Sequence, residues 1–257
     1  MEKPIVFISH ITEEAELALK LKDLIESSFL GMIEVFVSSD ETSISAGARW
    51  LDNITESLSN CSIELILCSP KSVTRPWINF EAGAGWVRNI PVIPLCHSGM
   101  EPAKLPVPLN LLQAAKVSEI SSLKLIFPVL GQAIGAKTPN IDFSDFVDSV
   151  ISFERKYMLG ENIKKFFSLT NGDMAVLFNH IDTYTQYTTI SLDLGFIENE
   201  KINEMKTLAN NELKDFVSIS TKNAGISFFD TGAINGAEVT AFIKDLNMLK
   251  QFRGMLL

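Results

Sequence analysis

Residues 1–136 predict an α/β fold built on a parallel sheet. Three features carry the prediction. Short apolar runs of β-forming residues alternate with helix-periodic segments from Ile5 to Ile134. The runs are near-continuous in apolar residues, as strands covered on both faces are. Polar, Ser-containing segments follow three of them, at Ser9-His10, Ser38–Gly47 and Ser69–Glu81. In such sheets ligands bind beyond the carboxyl ends of the strands, where these segments lie.

Taken in order, Ile5-Val6-Phe7-Ile8 reads as a buried strand ended by Ser9-His10. Thr12-Glu13-Glu14 is a polar cap with acidic first-turn residues. Leu17, Leu21, Leu24 and Ile25 recur at helical spacing, so residues 12–28 predict an amphipathic helix. Residues 33–37 read as a strand, and Ser38–Gly47 as a loop. Residues 48–59 read as a helix with Trp50, Leu51, Ile54 and Leu58 on one face. Residues 63–68 are a third strand, stopped by Ser69-Pro70. Residues 90–96 are a fourth, whose two prolines point to an edge or to irregular ends. A helical turn at 109–114, a fifth strand at 116–120 and a helix carrying Leu123, Ile126, Phe127, Leu130 and Ile134 complete the pattern.

Gly135–Asn140 reads as a linker, and residues 141–257 as a smaller second domain. That part reads as mostly helical, around 143–153, 163–167, 174–181, 202–217 and 239–252, with a short strand at 226–229. The order of elements is winged-helix-like, but no basic recognition helix is present: residues 200–215 carry four acids against three lysines.

The net charge of −9 argues against non-specific binding to nucleic acid or to an anionic membrane. Cys61, Cys68 and Cys96 are odd in number and lie in apolar runs, so they read as buried thiols of a reducing compartment. No signal peptide or membrane-length apolar run is evident, and a cytoplasmic protein is expected. Cys96-His97 has no ligand-spaced partner downstream, so no metal is expected. There is no G-x-G-x-x-G after the first strand and no phosphate-binding G-x-x-x-x-G-K-[ST], which argues against a dehydrogenase and a P-loop enzyme.

One stretch organises the rest. From Pro76 to Val87 the only charged side chain is Glu81. Pro76 suits the first helical turn, and Trp77 and Glu81 share a helix face four residues apart. Gly83 and Gly85 are poor helix residues, which implies close packing against that turn. A lone carboxylate among aromatics is costly unless paired, neutralised or functional. A surface or helix-dipole Glu is the plain alternative. Its place at the ligand-binding side of the sheet favours function. Trp77 and Trp50 equally suit stacking on a ligand or filling core, and His10 equally suits a site or a helix flank.

Residues 5–135 resemble a bacterial-type Toll/interleukin-1 receptor (TIR) domain. The resemblance rests on Phe7-Ile8-Ser9-His10, Gly47 with Trp50, Ser69-Pro70, Trp77-x-x-x-Glu81 and Leu105-Pro106-Val107-Pro108, in that order. It implies a flavodoxin-like layer with a sheet of about five strands. It also implies one of two activities: self-association with other TIR domains as an adaptor, or cleavage of NAD+ between nicotinamide and ribose, often as an antiphage effector. In the cleaving members the Glu at the position of Glu81 is catalytic. Ser9, His10, Asp40, Gly47, Trp50 and Trp77 are expected to border the substrate cleft. NAD+ would be substrate, with no cofactor. A neighbouring copy would complete the cleft, and residues 141–257 would bind an unknown trigger or partner or hold oligomers together. The loop keeps Asp40, Ile44 and Gly47 of the family pattern, whereas the Gly83/Gly85 pair departs from it.

Overall fold

The computed structural model describes residues 3–38, 50–170, 178, 188–229 and 232–253. The chain divides into two compact units, Met1–Arg155 and Lys156–Leu257.

In the first unit, β1 (Ile5–Ser9), β2 (Glu34–Val37), β3 (Ile63–Cys68), β4 (Val92–Cys96) and β5 (Ala115–Lys116) form one sheet in the order β2-β1-β3-β4-β5. Every pairing is parallel. The helices are α1 (Ala15–Ser28), α2 (Trp50–Asn60), α3 (Pro76–Val87) and α4 (Ile120–Ala133). Both faces of the sheet are buried: Val6, Phe7, Ile8, Leu65, Ile66 and Leu67 have no exposed surface. Side chains alternate along a strand, so Glu64, Ile66 and Cys68 share one face of β3. Ile66 and Cys68 there pack on Ile78 and Ala82 of α3. Phe7 of β1 packs with Ile54 and Leu58 of α2 and with Trp77 and Ala84 of α3. Elsewhere Phe29, just past α1, stacks on Phe127 of α4, which meets Phe143.

The chain leaves β1 to one side for β2 and crosses to the other for β3. The crevice at the carboxyl ends of β1 and β3 is therefore the switch point where α/β sheets bind ligands. The fifth strand is shorter and earlier than the expected 116–120, because α4 begins at Ile120. β5 pairs only with Leu95 and Cys96. Pro94 thus lies outside that ladder, and β4 tolerates it as an edge would.

The second unit differs in detail from the mostly helical expectation. After α5 (Ser144–Ser168), β6 (Ile190–Glu198), β7 (Val217–Phe229) and β8 (Gly232–Ile243) form an antiparallel sheet in the order β6-β8-β7. Helix α6 (Asn199–Asn210) stops at the Asn210-Asn211 pair, so Val217 opens a strand instead of ending a helix. Val239, Ala241 and Ile243 are fully buried at a period of two. The helical period resumes only in α7 (Leu246–Gln251), where the Asp245 carboxylate caps the helix by accepting from the Met248 N–H at 2.9 Å. Residues 239–252 are therefore a strand and then a helix. Phe166, Phe167, Phe178, Met205 and Phe216 centre this unit's core. The expected helix at 174–181 lies, but for Phe178, outside the described residues.

The two units divide inside α5, later than the Gly135–Asn140 linker. Phe153 lies against His97, and Glu154 accepts a hydrogen bond from the Ser98 N–H at 3.0 Å, so the start of α5 belongs with the sheet. Among the described residues no helix is long and apolar enough to cross a membrane.

Candidate active site

α3 starts at Pro76, which needs no intrahelical donor there, and its inward face carries Ile78, Glu81, Ala82 and Gly85. Glu81 is 0% exposed. Two donors hold it. Ser9 Oγ, from the last residue of β1, donates to Glu81 Oε2. Trp77 Nε1, one turn earlier on α3, donates to Glu81 Oε1 at 2.7 Å. The carboxyl therefore ties α3 to the end of β1 at the switch point. Burial pushes its pKa up to about 7, against the pull of the Ser9 and Trp77 hydrogen bonds, which favour the carboxylate. A carboxyl that titrates near neutrality is charged or neutral in response to small changes around it.

Trp77 is half-buried, and it fills core as well as donating: it packs with the Phe7 cluster and stacks on Phe80 at 5.1 Å between ring centroids. His10 sits one residue past Ser9. Its Nδ1 lies 3.1 Å from Ser38 Oγ, so it joins the ends of β1 and β2. Burial lowers its pKa, opposed by the Ile8 carbonyl and the Glu14 charge, and the imidazole is neutral at physiological pH. Ser9, Trp77 and Glu81 are thus brought together, with His10 adjacent in the chain and directed toward Ser38. Asp40 and Gly47 lie outside the described residues, as does the side chain of Trp50, whose backbone opens α2.

Residues 6–126 match the model of a family described as "TIR domain". These residues form a TIR domain. Among solved structures, the TIR domain of the Toll-related receptor TRR-2 from Hydra magnipapillata is 18% identical, covering 51% of this chain and 97% of that one, with a TM-score of 0.39. The TIR domains of the activated Roq1 resistosome, which directly recognises the pathogen effector XopQ, are 13% identical, covering 61% and 82%, with a TM-score of 0.33. A search of curated proteins found no match.

The TIR domain holds two further buried polar features that the sequence reading passed over. The first is Glu64 on β3, fully buried, with no hydrogen-bond partner for either carboxyl oxygen among the described residues. Its signal was present: an acid between Ile63 and Leu65 in an otherwise apolar strand. It also explains Gly85. A Cβ there would overlap Glu64 Oε2 and come within 2.7 Å of Val92 Cγ2, whereas a Cβ at Gly83 meets nothing within 4 Å. Close packing therefore accounts for one of the two glycines.

The second is a network at the carboxyl ends of β3 and β4. Glu14 Oε1 accepts from Ser69 Oγ at 2.6 Å and lies 3.2 Å from His97 Nε2, while Glu14 Oε2 accepts from the Ile11 N–H at 3.3 Å. His97 Nδ1 lies 3.0 Å from Ser98 Oγ. The acid that reads as a helix-start residue is a buried hub. Among the described residues no group of three or more His, Cys, Asp or Glu side chains is placed to hold a metal.

Proposed function

We propose that this protein is a TIR-domain NAD+ nucleosidase, cleaving the nicotinamide–ribose bond with Glu81 as the catalytic carboxylate. The observation that carries the reading is Glu81 itself: fully buried at the sheet's switch point, held by Ser9 Oγ and Trp77 Nε1, and poised near neutrality. Most glycoside hydrolases need two carboxyl groups, one of them to protonate the leaving group. Nicotinamide is already a cationic pyridinium in NAD+ and departs neutral, so one carboxylate suffices. Glu81 would stabilise the positive charge that develops on the ribose and orient its hydroxyls. Addition of water at the anomeric carbon then yields ADP-ribose and one proton, which leaves through Glu81 to solvent. Capture by a second nucleophile within the same molecule would yield a cyclic ADP-ribose instead. Ser9 and Trp77 fix the carboxylate, and His10, Asp40, Gly47 and Trp50 would border the substrate.

The same reading makes the protein a trigger-activated effector of bacterial antiphage defence, acting in the cytoplasm. A second copy completes the cleft, and the second unit receives the signal or a partner.

A second reading, a non-catalytic TIR adaptor, draws on α3 from its outer side. Phe80 is 58% exposed and Val87 88%, and Trp86 is also exposed. An apolar outer face of this kind suits association. The experiment that separates the two is overproduction of wild type and Glu81→Gln in cells, with NAD+ measured with and without candidate triggers. Depletion by wild type alone supports the enzyme. If neither depletes NAD+ under any trigger while wild type captures another TIR protein, the adaptor reading stands.

A further inference from the structure

We infer that Glu64 is a positioning residue for Glu81: the two form a buried carboxyl pair in which Glu64 keeps the proton and Glu81 carries the charge. In its activity arm this rests on the proposed role of Glu81.

Three observations place the pair. Glu81 and Gly85 are four apart on α3, hence on one face and about 6 Å apart along the helix. Gly85 sits directly over Glu64 Oε2. In the sheet, Ser9, which holds Glu81, is in register with Ile66, two residues past Glu64 on the same face. Two residues of strand span roughly 6–7 Å. Helix and strand thus agree that the carboxyls lie about one helical turn apart on the same interface.

Glu64 is in β3, between β1 and β4, paired with Phe7 and Val92. Nothing donates to its carboxyl among the described residues. An ionised carboxylate in that position would be costly, and a second negative charge beside Glu81 costlier still. Burial first and the Glu81 charge second raise its pKa to about 9, with the Arg88 guanidinium opposing. Arg88 is itself engaged at the end of α2, where Nη1 donates to the Leu58 carbonyl at 2.6 Å and lies 3.3 Å from Cys61 Sγ. Burial holds the Cys61 thiol up at about 11, so it stays neutral. Among the described residues the charged and titratable groups around the pair are therefore Arg88 and Cys61, and neither removes the proton from Glu64 at neutral pH.

The pair confines the site to one negative charge, placed at the end facing the switch point. When Glu64 ionises, repulsion and the demand for solvation act on the α3–β3 contact at Gly85, one turn from the reacting carboxylate. Because the folded pKa of Glu64 lies above its unfolded value, its contribution to stability is complete below about pH 4.5 and is lost as pH rises toward about 9. An apolar residue would pack here without that loss, so the acid reads as retained for the site.

The test uses the full chain labelled with 13C-glutamate, as wild type, Glu64→Gln and Glu81→Gln, followed by infrared spectroscopy. Wild type at about pH 8 is expected to show a protonated-carboxyl C=O band that Glu64→Gln lacks. In Glu81→Gln the same band should titrate at lower pH, because the neighbouring charge is gone. Absence of the band, or an unmoved midpoint in Glu81→Gln, would overturn the pair. A second readout is nicotinamide release against pH. Wild type should lose turnover as Glu64 ionises, and Glu64→Gln should hold it; identical alkaline limbs would reduce Glu64 to a structural residue. Glu64→Met repeats the comparison should the glutamine variant fold poorly. If no variant cleaves NAD+ but the infrared coupling is present, the pair stands and the enzyme reading falls.

Discussion

Two buried carboxylate clusters lie at the carboxyl ends of the strands of one sheet, and they differ in what surrounds the acid. Glu14 is a hub: Ser69, the Ile11 backbone and His97 all reach its carboxyl, and His97 is in turn placed beside Ser98. It ties the turn after β1 to the loops after β3 and β4. Glu81 has two donors, Ser9 and Trp77, and as its inferred neighbour Glu64, whose carboxyl has no hydrogen-bond partner among the described residues. The difference separates an acid suited to holding loops together from one that, on the proposed reading, is suited to chemistry. Both are fully buried, so burial does not discriminate. What differs is what meets each carboxyl: Glu14 gathers contacts from three separate loops, whereas at Glu81 burial outweighs the Ser9 and Trp77 hydrogen bonds and raises the pKa to about 7.

The sharpest contrast comes from removing each acid. Glu81→Gln keeps the size of the side chain and loses the charge, so turnover should fall on the order of a hundredfold or more, with little change in urea midpoint. Glu14→Ala should do the reverse. It removes a buried acceptor of the Ser69 Oγ and the Ile11 N–H and should cost about 2–4 kcal/mol in urea unfolding. Turnover per folded molecule should hold. A large loss of turnover in a stably folded Glu14→Ala protein would break the distinction.

The glycines of α3 give the next effect. Gly85→Ala places a methyl group on Glu64 Oε2 and near Val92, and should cost about 1–3 kcal/mol. Gly83→Ala meets nothing and should gain up to about 1 kcal/mol from helix propensity. Thermal melts of the two variants moving in the same direction would contradict the close approach at Gly85. The smallest effect is expected for Trp77→Phe. The ring stays and the N–H is lost, so Glu81 loses about 1 kcal/mol of support for its charged form. Its titration midpoint, followed by carbon-detected NMR, should move up from about 7.

Much of this was legible in the chain. The alternation of apolar runs and helical periods led to the five parallel strands, and Pro76 with Trp77 and Glu81 led to the α3 face. What the sequence hid was hidden for physical reasons. Glu14 looks like an ordinary first-turn acid, because the side chains that gather at its carboxyl lie 55 and 83 residues away, at Ser69 and His97. Glu64 interrupts an apolar strand, yet only the fold shows that Gly85 sits on it. In the second unit, residues 239–252 contain a period-two run and a period-three run joined at Asp245. A single helical template spans both, and the switch shows only once Asp245 is recognised as a cap. The expected site residues Asp40 and Gly47, and the side chain of Trp50, fall outside the described residues, so the loop after β2 rests on sequence alone.

On the proposed reading, Glu81 works as a carboxylate whose burial sets its titration near neutrality. The most direct measurement is nicotinamide release from NAD+ across about pH 5 to 8, at protein concentrations that favour self-association. A group raised to about 7 is mostly neutral below that value, so wild-type turnover should rise with pH and reach half its plateau near 7. Glu81→Gln should be at least about a hundredfold lower and flat over the same range. Wild-type turnover that is independent of pH, or a Glu81→Gln protein as active as wild type, would contradict the account.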